Sequence, residues 1–135
     1  MARTKTAMHV VTEKDGKTGA LLARNPFSTE FGDRVAFFDV DDTTGTLTCD
    51  RTEFIGRNGS LGAPAAMERA RLSGRTGPAV DPCGALQVAI ALEPNAEREV
   101  TFRLGAARNV DEARALVMRF RGTSASRAAL DEVRG

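Results

Sequence analysis

Residues 34–40, Arg-Val-Ala-Phe-Phe-Asp-Val, decide the fold of this 135-residue chain. The apolar residues at 35–38 are consecutive, so they do not alternate between an apolar and a polar face. A short unbroken run of this kind is typical of a strand that is covered on both faces. We therefore predict a central strand here, with further strands on either side of it.

A hairpin is predicted before the central strand. Residues 8–13 are rich in β-forming side chains, and the pair Asp15-Gly16 is typical of a hairpin turn. Residues 18–23 then predict the returning strand. Residues 1–6 have no apolar pattern, and we expect them to be a disordered start.

After the central strand, residues 46–49 predict another strand. It leads into residues 50–61, Asp-Arg-Thr-Glu-Phe-Ile-Gly-Arg-Asn-Gly-Ser-Leu. We predict a short strand that ends in an exposed polar loop, because charged residues surround a single large apolar pair and a turn pair follows. Residues 64–71 predict a short helix with a proline in its first turn, and residues 73–82 a loop.

The clearest hairpin in the sequence is predicted over residues 84–104. Large apolar residues alternate with small or polar ones over 86–92 and again over 100–104, and Glu93-Pro94-Asn95 forms a turn between them. We expect both strands to bury one apolar face, including Ile90 and Phe102. Truncation of Phe102 to alanine is then expected to cost about 3–5 kcal/mol.

After residue 108 the spacing of the apolar residues changes from every second position to the spacing of a helix. Asn109 is a predicted N-cap, with Glu112 three residues later. An apolar stripe follows at helical spacing, formed by Ala113, Leu116, Val117 and Phe120. We expect this stripe to fold back on the sheet or to be shared with a neighbouring chain, so weak self-association is expected. A last helix is predicted from Ser126.

The fold class predicted from these patterns is mainly β, an antiparallel β-sandwich with a short mid-chain helix and a C-terminal helix. The sandwich module is expected over residues 7–107 and the helical segment over 108–135.

Composition excludes several function classes. A net charge of +1 gives no global reason to expect binding to nucleic acid or insertion into a membrane. No apolar run is long enough for a membrane span, and no secretory signal is recognisable. Cys49 and Cys83 are predicted to be free thiols, and the single histidine excludes a histidine-rich metal site. No cofactor and no metal site are predicted.

The acidic residues allow one enzymatic alternative. Residues 35–43 resemble the first motif of haloacid-dehalogenase-type phosphatases, a hydrophobic strand followed by Asp-x-Asp-x-Thr. That resemblance implies Asp39 as nucleophile and Asp41 as acid/base at a magnesium site. However, no lysine follows Lys17 to hold a phosphoryl charge, and residues 45–61 lack the helical pattern of a crossover.

Arginines make residues 51–75 locally basic. They could contact phosphate or sugar hydroxyls, or balance the acidic region at 30–50, which is the interpretation that we favour.

Four segments carry a broader resemblance. They are Thr-Gly-Ala-Leu-Leu-Ala-Arg-Asn-Pro at 18–26, Glu-Phe-Gly-Asp-Arg-Val-Ala-Phe at 30–37, the whole of 50–61, and Asp-Pro-Cys-Gly-Ala-Leu-Gln at 81–87. In this order they are similar to the carbohydrate-phosphorylase family that includes cellobiose and chitobiose phosphorylases (glycosyltransferase family 36 type). The most similar branch is that of the cyclic β-1,2-glucan synthases.

The resemblance implies one module of a larger glucan-processing enzyme. In that family these segments form a β-supersandwich that precedes an (α/α)6 barrel, and the barrel carries the catalytic acid. This chain is then expected to hold no catalytic residue and to support the barrel. It would contact a β-glucan oligosaccharide at the loop of residues 57–61. The implied substrate-binding residues are Arg51, Glu53, Arg57, Asn58 and Ser60. The implied location is the cytoplasmic side of a bacterial inner membrane, within a larger membrane-associated protein.

Overall fold

The computed structural model describes residues 9–28, 30, 32–78, 80–121 and 123–134, so the predicted disordered start at 1–6 lies outside the described residues. The elements within this part are, in order, β1 (Val11–Lys14), β2 (Leu21–Arg24), β3 (Val35–Val40), β4 (Thr46–Asp50), α1 (Arg51–Ile55), a 3-10 helix (Ala65–Glu68), β5 (Pro82–Gln87), β6 (Phe102–Ala107), α2 (Val110–Arg119) and α3 (Thr123–Arg134). The helix predicted over residues 64–71 is thus a shorter 3-10 helix.

Two antiparallel sheets form the β part of the structure. The first has the strand order β1-β2-β3-β6, and the second consists of β4 and β5. β3 lies between β2 and β6, with Val35 opposite Arg24 on one side and Ala107 on the other. The predictions of a central strand and of a mainly antiparallel β fold are therefore confirmed.

The predicted hairpin before β3 is also confirmed, although its loop is longer than expected. The Asp15 carboxylate accepts hydrogen bonds from the amide and the hydroxyl of Thr18, at 2.9 and 2.7 Å. The amide of Asp15 donates to the carbonyl oxygen of Ala20 at 2.8 Å, which closes the loop. Because Asp15 organises Thr18 in this way, the second strand begins at Leu21 rather than at residue 18.

The prediction of a hairpin over residues 84–104 is wrong. β5 pairs with β4, whereas β6 pairs with β3. Ile90 lies outside any strand and is 47% exposed, and Phe102 and Leu104 on β6 are 49% and 79% exposed. The expectation that Phe102 is central to the core is therefore also wrong.

A contact between β3 and β6 explains the orientation of β6. The ring of Phe37 lies on Gly105, so closely that a Cβ at position 105 would come within 2.5 Å of the Phe37 Cζ atom. The strand therefore turns Arg103, Gly105 and Ala107 towards this face and leaves Phe102 and Leu104 on the other. Alternation in the sequence identified a strand, but it did not identify which face is buried or which strand is the partner.

The two faces of the first sheet are covered by different elements. On one face, Leu22, Val35 and Phe37 pack with Ala113 and Val117 of α2. On the other face lies a second cluster, formed by Leu21, Phe38, Leu47, Cys49 and Leu86, which joins the two sheets. A third cluster, formed by Ala66, Leu72 and Ala85 with Phe54 and Cys83, packs α1 and the 3-10 helix against the two-stranded sheet.

The C-terminal helices agree with the sequence pattern. The Asn109 side chain accepts a hydrogen bond from the Glu112 amide at 2.8 Å, which confirms the predicted N-cap. Ala113 and Val117 are fully buried, so the stripe folds back on the sheet. α3 begins at Thr123, slightly before the predicted start. In the described ranges, no helix combines the length and the apolar character that a membrane span requires. The module boundary at residue 107 stays a prediction.

Candidate functional site

Residues 51–55 form the short helix α1, so the prediction of a strand in this stretch is wrong. Asp50 caps the helix: its Oδ1 atom accepts a hydrogen bond from the Thr52 amide at 3.0 Å. The pattern Asp50-x-x-Glu53 matches an N-terminal helix signature. The signal was therefore present in the sequence, but the apolar pair inside it was interpreted as a strand.

The loop after α1 has a tightly folded backbone. Gly56 ends the helix with a φ of 84°, and its amide donates to the Thr52 carbonyl oxygen at 2.9 Å. A Cβ at position 59 would lie 1.8 Å from the Ile55 carbonyl oxygen, so only glycine fits there. The Ala63 amide donates to the Ser60 carbonyl oxygen at 3.1 Å, which closes the next turn. The loop backbone thus folds back on the end of α1.

The side chains of this loop point outward. Arg57, Asn58 and Ser60 are exposed, and Leu61 is 74% exposed. Within the described part of the chain, the side chains of Arg57 and Asn58 form no hydrogen bond. A fixed backbone that presents free donors and acceptors is suited to the recognition of a polar ligand.

The five predicted binding residues do not form one group. Arg57, Asn58 and Ser60 lie together on the loop. Arg51 is half-buried at the start of α1, where its amide donates to the Asp81 carbonyl oxygen at 2.9 Å. Glu53 faces the protein, with a side chain only 8% exposed.

Glu53 fastens the chain after the 3-10 helix to α1. Its carboxylate accepts hydrogen bonds from the Ser73 amide at 3.0 Å and from the Thr48 hydroxyl at 3.1 Å, and also from the Ser73 hydroxyl. Burial by itself would raise the pKa of Glu53, but the hydrogen bonds from Ser73 and Thr48 outweigh it and leave the pKa below its usual value. Glu53 is therefore a structural acceptor in this structure.

A polar cleft of about 640 Å³ opens beside Glu53. Of the residues that line it, the sequence prediction included only Glu53; the other lining residues are Asp50, Thr52, Arg69, Ser73, Gly74 and Arg75. Arg75 Nη1 lies 2.8 Å from Asp50 Oδ2, and this hydrogen bond is the main cause of the lowered pKa of Asp50. The pairing agrees with the interpretation that arginines of residues 51–75 balance nearby acids.

The Asp39 and Asp41 carboxylates do not support the phosphatase alternative. Asp39 is 4% exposed and accepts hydrogen bonds from Arg103 at 2.9 Å and from Arg121 at 3.1 Å. Arg103 also donates to Asp41. A nucleophilic aspartate needs a free lone pair beside a metal ion, whereas two guanidinium groups hold Asp39. No cluster of potential metal ligands occurs among the residues that the structure describes.

Both cysteines are free thiols, as predicted. Burial raises the pKa of Cys49. Burial, together with the nearby Cys49 thiol and the Asp50 and Asp81 carboxylates, raises the pKa of Cys83 to about 11. Neither thiol is therefore a candidate nucleophile at neutral pH.

Comparison with known proteins identifies the family. The profile of the "Glycosyl hydrolase 94, supersandwich domain" matches residues 1–123. The cyclic beta-(1,2)-glucan synthase NdvB of Rhizobium meliloti (strain 1021) is 41% identical over 123 residues, which are 90% of this chain and 4% of that protein. The 3-O-beta-D-glucopyranosyl-beta-D-glucuronide phosphorylase of Paenibacillus borealis is 32% identical over 80 residues, which are 59% of this chain and 10% of that protein. The chain thus spans a small fraction of the length of both relatives. It belongs to the supersandwich-domain family of glycosyl hydrolase 94, a family of carbohydrate-active enzymes.

Proposed function

We propose that this chain is a non-catalytic supersandwich module of a glucan-processing enzyme of the cyclic β-1,2-glucan synthase type. The observation that carries the proposal is the match of 90% of the chain to only 4% of a glucan synthase. In the proposed role, the module supports the catalytic barrel of its parent protein. It contacts a β-glucan oligosaccharide through the loop of residues 57–61.

The ion pairs of the described residues favour a supporting role over catalysis. Hydrolysis of a glycosidic bond generally uses two carboxyl groups that flank the scissile bond. Asp39, Asp50 and Glu53 are instead occupied by guanidinium or hydroxyl donors. If a carboxylate such as Asp39 or Asp50 were protonated to act as a general acid, its guanidinium partner would lose its counter-charge.

The glucan contact is proposed for the loop because its donors are free and its backbone is fixed. Arg57 and Asn58 supply several N–H donors, and the sequence has no Trp or Tyr on which a sugar ring could stack. Each hydrogen bond to a sugar hydroxyl contributes only about 0.5–1.5 kcal/mol to the binding free energy, because water competes for the same groups. Two or three such bonds leave an affinity of about millimolar for the isolated chain.

The parent protein is proposed to place this module on the cytoplasmic side of a bacterial inner membrane. The similarity to the cyclic glucan synthases supports this location. The module itself is proposed to make no direct insertion into the bilayer and no contact with nucleic acid.

A chimera tests the proposal. The matching segment of the Rhizobium synthase is replaced by residues 1–123 of this chain, and cyclic glucan formation is measured. We expect the chimera to be active, and Arg57→Ala to lower its activity severalfold. The matched control is Arg24→Ala, which removes an exposed arginine from the four-stranded sheet and should leave activity unchanged.

Two results would contradict the proposal. Full activity of the Arg57→Ala chimera would show that Arg57 and its loop do not contribute to glucan binding. Micromolar binding of glucan oligosaccharides by the isolated chain, or their phosphorolysis by it, would show that the chain acts autonomously and is not a supporting module.

A further inference from the structure

A cavity of about 760 Å³ lies where β3 ends and β4 begins. Its walls include the turn of residues 41–45, Thr18 and Gly19 before β2, Thr101 before β6, and Arg121 after α2. The cavity is thus at the start of β4, whereas α1 and the loop of residues 57–61 follow the end of β4. It is therefore separate from the loop that is proposed to contact glucan.

The charged side chains at this cavity balance one another. The carboxylates and the positive groups that line it, together with one arginine paired to two of these carboxylates, are Asp39, Asp41, Asp42, Glu99, Lys14, Arg98, Arg121 and Arg103. Four negative and four positive side chains leave no net charge. A metal cation or a phosphate ion would have to compete with one of the existing ion pairs. The balance therefore favours an uncharged ligand.

Hydrogen bonds between the walls fix the shape of the cavity. The Asp41 amide donates to the Thr101 carbonyl oxygen at 3.0 Å, which holds the turn against the segment before β6. Arg121 Nη2 lies 3.1 Å from Asp39 Oδ1, and it also donates to the Thr18 carbonyl oxygen. The wall beside β2 is thereby held to the end of β3. A site whose walls are already ordered loses less free energy when a ligand binds.

Hydroxyl groups make up much of the polar surface of the cavity. The threonines that line it are Thr18, Thr43, Thr44, Thr46 and Thr101. Within the part of the chain that the structure describes, the hydroxyls of Thr43 and Thr101 form no hydrogen bond. A hydroxyl both donates and accepts, so these groups complement the hydroxyls of a sugar. Leu47 and Leu86, from the cluster between the two sheets, add an apolar surface for the C–H groups of a sugar ring.

We propose that this cavity binds a short segment of an uncharged oligosaccharide. Its volume is within the range of about 300–1,000 Å³ that is usual for small-molecule sites, and it leaves room for more than one sugar ring. The side chains of Arg98 and Arg121 are 42% and 33% exposed, so they keep further N–H groups for sugar hydroxyls while they stay paired with their carboxylates. The site goes beyond the proposed loop contact, and neither of the two depends on the other.

Backbone amide NMR of the whole chain tests the proposal. The probes are β-1,2-linked and β-1,3-linked glucotriose, each added up to about 20 mM, because hydrogen bonds without ring stacking give an affinity of about millimolar. We expect at least one of them to shift the amides of Thr44, Gly45 and Thr101. Sodium phosphate and magnesium chloride are added separately, and they should leave these amides unshifted.

A pair of substitutions tests which groups bind the sugar. The double variant Thr43→Val and Thr101→Val removes the two free hydroxyls and keeps the shape of both side chains. It should weaken the binding at least about fivefold. Thr76→Val is the matched control, because Thr76 is half-buried like Thr101 but lines neither this cavity nor the cleft beside Glu53. It should leave the affinity unchanged.

Arg57→Ala separates this site from the loop contact. Shifts at residues 57–61 should disappear in Arg57→Ala, whereas the shifts around the cavity should persist. The proposal is overturned by sugar-induced shifts that are confined to residues 57–61, or by cavity shifts that Arg57→Ala abolishes. It is equally overturned by larger cavity shifts with phosphate or magnesium, by no cavity shift at about 20 mM of either sugar, or by equal affinities of the double variant and Thr76→Val.

Discussion

Arg114 on α2 donates two hydrogen bonds to one carboxylate oxygen of Asp15 in the β1–β2 loop, at 2.9 and 2.8 Å. The two residues are 99 positions apart in the sequence, so the contact fixes α2 against the first hairpin. Arg114 is the largest cause of the lowered pKa of Asp15, which is about 2.

This pair predicts a pH dependence of stability. Because the folded pKa of Asp15 lies below its usual value of 3.8, the contribution is complete above about pH 4. It declines as the pH falls from there through about 2, where the folded carboxylate is protonated. We expect Asp15→Asn to lower the free energy of unfolding by roughly 2–3 kcal/mol at pH 7. Urea unfolding at pH 7, 4 and 3 should show the difference between the two proteins shrinking below about pH 4. A constant difference over this range would contradict the assignment.

Leucines at buried and exposed positions should respond differently to truncation. Leu22→Ala, in the cluster beneath α2, should lower the free energy of unfolding by about 2–5 kcal/mol. Leu92→Ala, on a 59% exposed side chain outside the strands, should change it by less than about 0.5 kcal/mol. For the half-exposed Phe102 we expect Phe102→Ala to cost about 1–2 kcal/mol, in place of the larger value expected from the sequence pattern. Equal costs for the two leucine variants would show that the core is misassigned.

Glu53 should matter for stability. Glu53→Ala removes the acceptor for Ser73 and Thr48, so about 1–3 kcal/mol of unfolding free energy should be lost. Glu68→Ala is the control, because this glutamate is exposed and forms no hydrogen bond within the described residues; it should be close to neutral. Hydrogen exchange should also show faster exchange of the Ser73 amide in Glu53→Ala. An unchanged midpoint of denaturation would contradict the structural role assigned to Glu53.

The loop backbone can be tested independently of its side chains. Gly59→Ala forces a methyl group onto the Ile55 carbonyl oxygen, so the loop must move, at a cost of about 1–3 kcal/mol. Gly62→Ala has no atom nearer than 3.9 Å to its new methyl group and should be tolerated. In the chimera, Gly59→Ala should reduce glucan formation and Gly62→Ala should not. The same activity in both variants would mean that the loop conformation is unimportant.

The thiols should react slowly in the folded protein. With a pKa of about 11, Cys83 forms roughly a hundredfold less thiolate at pH 8 than an ordinary cysteine. Titration with a chromogenic disulfide should therefore show slow reaction before unfolding and two rapid equivalents in denaturant. A rapid equivalent in the native protein would contradict the raised pKa of Cys83 and the burial of Cys49.

The sequence predicted local secondary structure better than it predicted which strands pair with each other. The unbroken run at 35–38 identified the central strand, and the pair of Asn109 and Glu112 identified the start of α2, because both signals are local. The alternation over 84–104 could not show that β5 and β6 belong to different sheets, since pairing depends on contacts such as that of Phe37 with Gly105. For the site, the exposed residues of the loop were predicted, but the inward direction of Glu53 depends on Ser73, twenty positions away.

The chain connection between β3 and β6 has a consequence for how the protein can change. The second sheet, α1 and the candidate loop all lie between these two adjacent strands of the first sheet. The segment between β3 and β6 is thus an insertion into the first sheet. Its two ends are close together, because Val40 at the end of β3 pairs with Phe102 at the start of β6. Closing this long connection is entropically costly for an unstructured chain, and a folded insert shortens the segment that remains to be closed. We expect the insert to fold early and to behave as a cassette: it can be exchanged for one with another loop while β1, β2, β3, β6 and α2 keep their positions.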